Sequence, residues 1–392
     1  MEVNMSSLFE KDARYISNTY ARFPVEIVRG EGSLAYDSRD KRYIDMGAGI
    51  GVNIFGYADK EWQNAVINQL RKVQHTSNLF YTCPDAELAE MLCIRTGLKK
   101  VFFCNSGAEA NECAIKAARK YGQNKRGNDC FNIITLYNSF HGRTLTTLAA
   151  TGQDHYHELF QPLTPGFLYS HPNNFNEMKS LMENDNVAAV MLECVQGEGG
   201  VFPLEKEFLQ RVADYAKQRD ILVIIDEVQS GNGRSGALYS YMNYGIQPDL
   251  VTTAKGLGGG LPIGACLFGD KVETIFQKGD NGSTFGGNPV CCAGAVNILS
   301  RITEELLVEV QEKSDFIFNS LSNVKGITSI SGMGLMVGFE TSKPAIEVVN
   351  KCISDGVLCL TAEHNRIRLL PALNIPMDLL SNAIEIIKYN CL

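Results

Sequence analysis

Lys255 ends the apolar run Leu250-Val-Thr-Thr-Ala and opens the stretch Lys255-Gly-Leu-Gly-Gly-Gly-Leu-Pro262. A strand that stops there delivers one amine to a tight place that bulky neighbours do not fit. With its pKa depressed by burial, such an amine can form a Schiff base with a carbonyl cofactor. Most strand-end lysines are plain surface residues, so the segment alone favours chemistry only modestly. A nucleotide-binding P-loop is excluded, because there the lysine follows the glycines and precedes Ser or Thr.

Other apolar runs also end in polar side chains. Asp226 closes Ile221-Leu-Val-Ile-Ile, and a carboxylate in that place needs a partner because an isolated buried charge is costly. A structural arginine such as Arg234, a capping amide or a protonated pyridine nitrogen would each serve. Ser106-Gly-Ala-Glu109 has the spacing of a capping box, and the N–H groups of such a helix start suit a phosphate. In isolation that motif is more often a plain cap. Glu193 follows Val187–Leu192, and Phe140-His-Gly-Arg143 comes shortly after Phe131–Leu136.

The elements that must position these residues are short apolar runs at Val101–Phe103, Phe131–Leu136, Val187–Leu192, Ile221–Ile225, Leu250–Thr253 and Ala265–Phe268. Helix-like segments separate them. Small or apolar residues at 110, 113, 114, 117, 118 and 121 make one helical face. Such alternation predicts an α/β fold with a mostly parallel sheet covered on both sides. Ligands of these sheets bind beyond the carboxyl ends of the strands, where the polar residues above would converge. Residues 25–46 read as extended. From about 290 onward, helices at Ala293–Glu309 and 311–323 mix with strands near 327–331, 334–340 and 366–370. The expected division is 1–54 as an N-terminal segment joining the small domain, 55–289 as the large domain, and 290–392 as a small α+β domain.

Composition narrows the function classes. The chain of 392 residues is 45% hydrophobic and 20% charged, with a formal net charge of −8 and no basic cluster. That balance disfavours nucleic acid or an anionic membrane as partner, and no apolar stretch approaches membrane-spanning length. The N-terminus has neither a basic start nor an apolar signal core. The 12 cysteines form no Cys-x-x-Cys pairs, and the 6 histidines form no His-Glu-x-x-His arrangement. A reduced, cytoplasmic protein with no metal site is expected.

Taken together, Ser106–Glu112, Phe140–Thr144, Glu193–Gly200, Asp226–Gly236, Thr252–Gly256, Gly282–Pro289 and Ile367–Pro371 resemble the class III pyridoxal-phosphate aminotransferases. The matches run in order from Asn18 almost to the C-terminus, and within the class they look most like its N-acetylornithine branch. The resemblance implies a fold-type-I homodimer with shared active sites and pyridoxal 5'-phosphate as cofactor. Lys255 would then hold the cofactor and act as general base and acid. Asp226 would meet the pyridinium nitrogen, Gln229 the ring hydroxyl and Phe140 the ring face. Ser106, Gly107 and Ala108 would hold the phosphate, with Thr284 supplied by the other subunit. Substrate would meet Arg143, Glu193, Glu198, Ser283 and Arg368, with Glu198 as a removable cover on Arg368 when no α-carboxylate is bound.

Transamination between N2-acetylornithine and 2-oxoglutarate, giving glutamate, is the expected reaction. Ornithine transaminases of the family place a tyrosine where this chain has Gly49, which leaves room for an acyl amide. Two departures from the family pattern are Cys194 for a proline, and Tyr57-Ala-Asp-Lys60 for a His-x-His-Pro stretch. Ornithine, succinylornithine, acetyl-lysine and 4-aminobutyrate remain open as donors. An aminomutase or a non-catalytic binding protein are the alternatives from other classes.

Overall fold

A computed structural model describes residues 5–392. Its centre is a seven-stranded sheet in the order Lys100–Cys104, Gly264–Phe268, Leu250–Thr253, Leu222–Asp226, Val187–Leu192, Asn132–Leu136, Phe167–Ser170. Gly264–Phe268 runs antiparallel to both neighbours, and the other pairs are parallel. The mostly parallel sheet expected from the apolar runs is therefore present.

Side-chain alternation explains why these runs form a doubly covered sheet. In Leu222–Asp226, Leu222 and Ile224 pack on the face that holds the helix Gly107–Arg126, with Ala114, Ala117 and Ala118. Val223 and Ile225 point to the opposite face with Val190, Leu192 and Val251. Each fully buried aliphatic side chain contributes roughly 1.5–3 kcal/mol, so both faces must be covered.

The two ends of the chain meet. Ile27–Glu31, Leu34–Asp37 and Arg42–Asp45 form an antiparallel meander, and Val357–Leu358 joins its last strand in parallel, with Val357 opposite Ile44. Ile327–Met333, Met336–Thr341, Arg366–Leu369 and Leu360–Ala362 form a second antiparallel sheet. Met46 ties the two sheets together: its N–H donates to Leu358 O at 2.8 Å and its carbonyl accepts from Leu370 N at 2.7 Å.

The expected helices after residue 290 are shifted. The structure has Pro289–Arg301 and Glu304–Leu321, with the break at Ile302-Thr303. Asn288 starts the first by accepting from Val290 N and Cys291 N, and Thr303 caps the second by accepting from Leu306 N. Arg95 supplies donors to Leu299 O and Ile302 O, which satisfies carbonyls left over where the first helix stops. Among the described residues, no helix is long and apolar enough to cross a membrane.

Candidate active site

The carboxyl ends of five strands converge on a cavity of about 650 Å³. Ser106, Gly107, Ala108, Phe140, Arg143, Glu193, Asp226, Gln229 and Lys255 all line it. Lys255 emerges directly after Leu250–Thr253 with φ 45°, a left-handed conformation that costs a residue with a Cβ on the order of 1 kcal/mol. Burial lowers the pKa of its amine, and nearby Glu198 and Asp226 oppose that pull while Arg368 adds to it.

Asp226 is buried at the cavity wall, and both its oxygens have protein partners. Its Oδ2 accepts from Asn111 Nδ2 at 2.7 Å and lies 2.8 Å from His141 Nδ1, while Oδ1 accepts from Val228 N at 3.0 Å. Asn111 is held in turn by Thr252 Oγ1 at 2.6 Å. None of these neighbours is an arginine. Arg234 instead donates to the carbonyls of Leu335 and Pro371. The structural-arginine reading of Asp226 is thus ruled out.

The helix Gly107–Arg126 starts at the cavity, where its first backbone N–H groups have no intrahelical partner. Ser106 Oγ accepts from Glu109 N at 3.2 Å, as its spacing predicted. The Glu109 carboxylate reaches past the cap residue and accepts from Asn105 N at 2.9 Å. A Cβ on Gly107 would stand 2.6 Å from Val228 Cγ1, so this helix start approaches the cavity wall only as glycine.

Glu193 is 6% exposed and uses both oxygens on backbone: it accepts from Phe140 N at 2.9 Å and from Gly197 N at 3.3 Å. Burial pushes its carboxyl up to about 7, against the pull of His141 and these two bonds. It thereby fixes both the Phe140 turn and the loop that carries Glu198.

Arg368 lies on Arg366–Leu369 and is 3% exposed. Its Nη1 donates to Glu198 Oε1 at 2.7 Å and to Gln229 Oε1 at 3.0 Å, and its Nη2 donates to Glu198 Oε2 at 3.3 Å. Burial would raise the Glu198 carboxyl, but the forked pair with Arg368 overrides it and holds the pKa below its ordinary value. A charged group this buried is costly without such a partner.

Ser283 and Thr284 are not brought into this cavity. Ser283 Oγ lies behind the helix start, where it accepts from Asn105 Nδ2 at 3.1 Å and Gly286 N at 3.0 Å. Thr284 lies outside it, in a surface groove with Asn78 and Asp85. Asn111 and His141, which line the cavity, and Tyr156, which contacts Arg143 beside it, carried no role in the sequence. Asn111 falls one helical turn after Gly107, and His141 adjoins Phe140, so their spacing held a signal. Tyr156 had none. Among the described residues, no cluster of His, Cys, Asp or Glu could hold a metal.

The arrangement suits a flat, phosphorylated ring: helix-start amides at one end, a carboxylate at the other, an aromatic face and an amine beside it. Comparisons with known proteins point the same way. The acetylornithine aminotransferase of Haemophilus ducreyi is 48% identical over 378 residues, covering 96% of each chain. A solved N-acetylornithine aminotransferase from Stenotrophomonas maltophilia superposes with a TM-score of 0.84 at 34% identity, covering 96% of this chain and 97% of that one. An ornithine aminotransferase from Toxoplasma gondii, in which pyridoxal phosphate partially occupies the active site, gives a TM-score of 0.94 at 28% identity, covering 100% and 95%. A sequence profile described as aminotransferase class-III matches residues 15–390. With the strand-end lysine, the ring-end carboxylate and the near-full-length match in agreement, the chain belongs to the class-III aminotransferase family.

Proposed function

We propose that this chain transfers the δ-amino group of N2-acetyl-L-ornithine to 2-oxoglutarate, giving N-acetyl-L-glutamate 5-semialdehyde and L-glutamate. The observation that carries the reading is the pair of arginines at the site, Arg143 lining the cavity and Arg368 forked to Glu198 beside it. A dicarboxylate uses both arginines, whereas an ω-amine needs one and leaves the other covered. Relatives named acetylornithine aminotransferase support the choice of donor. So does Gly49, a residue without a side chain where the ornithine transaminases of the family place a tyrosine.

Pyridoxal 5'-phosphate, when bound, supplies an aldehyde that takes up amino groups and a ring that accepts an electron pair. In this reading Ser106, Gly107 and Ala108 would hold the phosphate, Phe140 and Gln229 would hold the ring, and Asp226 would pair with its nitrogen. Lys255 Nζ would hold the cofactor and, once released, would take the proton from the amine-bearing carbon of the donor. Its lowered pKa favours the neutral amine that this step needs. Arg143 holds the carboxylate remote from the reacting carbon. Glu198 swings off Arg368 to admit the α-carboxylate of 2-oxoglutarate, then returns.

The reading includes a homodimer in the cytoplasm, a reducing compartment that suits 12 free thiols. Leu79, Phe80, Tyr81 and Phe285 are large apolar side chains left exposed by the single chain. Asn78 binds this stretch to the loop of Ser283 and Thr284, donating to Ser283 O and Gly286 O at 3.0 Å each. A partner docked there would receive Thr284 close to its phosphate site. We also assign residues 5–54 and 290–392 to one smaller domain beside the large domain of 55–289; residues 1–4 of the expected N-terminal segment lie outside the described residues. A panel of amino donors with 2-oxoglutarate, scored by glutamate formed, tests the function. N2-acetylornithine is expected to give the highest kcat/KM, and severalfold preference for free ornithine would refute the donor.

A further inference from the structure

Arg143 is exposed and follows a turn rather than a strand, so no backbone ladder aims its guanidinium. An arginine left free surrenders side-chain entropy each time it grips an anion. Tyr156, on the short helix Asp154–His157, meets it. Arg143 Cζ stands 4.1 Å from the Tyr156 ring centroid, and its Nη2 donates to the tyrosine hydroxyl at 3.1 Å. The same tyrosine packs edge-on toward Phe140, with centroids 6.0 Å apart and planes at 69°, and Arg143 Cζ is 5.5 Å from the Phe140 centroid. Phe140, Arg143 and Tyr156 therefore form one packed unit at the mouth of the cavity. Burial raises the pKa of the tyrosine hydroxyl, and Arg143, Glu198, Glu363 and Arg368 are the charges near enough to bear on it.

We propose that Tyr156 is a positioning residue that aims the Arg143 fork at the remote carboxylate of the substrate and so favours substrates that have one. The tyrosine occupies one face and one N–H of the guanidinium, and the remaining N–H donors are free for a bidentate carboxylate. The proposal rests on the reading of Arg143 given above.

The test uses the cofactor-loaded enzyme and four variants: Tyr156→Phe, Tyr156→Ala, Arg143→Ala and the double alanine. Two readouts are needed: steady-state constants for both substrates, and the dissociation constant of glutarate by calorimetry. Tyr156→Ala should raise KM and the glutarate Kd by about tenfold while kcat changes much less, and Tyr156→Phe, which keeps the ring, should recover part of the loss. Once Arg143 is alanine, removing Tyr156 should add nothing further. Full additivity, or a fall in kcat with KM and glutarate Kd unmoved, overturns the proposal. If Arg143→Ala weakens glutarate and Tyr156→Ala does not, the proposal falls while the reading of Arg143 stands. If Arg143→Ala leaves glutarate binding intact, both fall.

Discussion

A carboxyl that buries itself against two backbone N–H groups, as Glu193 does, couples its own proton to the stability of the fold. Its folded pKa is about 7 against an ordinary 4.5, so between those values the folded chain keeps a proton that the unfolded chain has released. Stability from this group is therefore present at low pH and is lost as pH rises through about 7. Glu193→Gln removes the term. The stability advantage of the unsubstituted protein over this variant should shrink by on the order of 3 kcal/mol across that window, read from denaturant melts of cofactor-free protein. A difference that stays flat with pH would show that Glu193 is ionised throughout. The sequence placed Glu193 at a strand end facing substrate. The structure keeps it at the cavity but gives both its oxygens to backbone, a fact that depends on where the Phe140 turn and the Gly197 loop come to rest.

At the scale of elements, the cavity is held by a helix start that tolerates no side chain. Gly107→Ala sets a Cβ 2.6 Å from Val228 Cγ1, so either the helix start or the valine on the cavity wall must move. Overpacking of this kind costs about 1–3 kcal/mol. The dissociation constant of pyridoxal phosphate should rise by roughly tenfold or more, measured by absorbance titration. An unchanged constant would mean that Val228 shifts freely and that the close approach has no bearing on the cofactor.

The strands of the main sheet were legible because their side chains are apolar on both faces, as in Val187–Leu192, where every residue is buried. Phe167–Ser170 was not. It is an edge strand of four residues, three of them only partly buried, and its apolar pattern is too short to stand out. The break at Ile302-Thr303 was hidden for a different reason. Apolar residues continue through Leu306 and Leu307, so the periodicity runs on while Thr303 starts a new helix. The Tyr156–Arg143 contact joins a short helix to a turn, and no local pattern encodes their approach.

At the scale of the molecule, the exposed aromatic ridge makes the strongest demand. Phe80 is 69% exposed and Tyr81 104%, values that a monomer in water seldom sustains in neighbouring aromatics. Charging the ridge with Phe80→Asp and Tyr81→Asp should leave a folded chain that sediments as a monomer and retains pyridoxal phosphate poorly. A variant that still sediments as a dimer and keeps its cofactor would place the interface elsewhere. The sequence did not single out this surface, because exposure of an aromatic cannot be seen until the fold has buried its rivals.

The seam between the chain's two ends also has a bearing on how the protein is born. Arg42–Asp45 leaves the ribosome long before its parallel partner Val357–Leu358 is made. At about 5–20 residues per second, the first strand waits tens of seconds for that partner. During this interval the edge of the N-terminal meander stays open, and Arg368 does not yet exist to receive Glu198. Pairing of Ile44 with Val357 thus waits for the later segment, which is followed at once by the strand that bears Arg368. An unfinished chain can build much of the cavity, but it lacks the arginine to which we assign the choice between the two substrates.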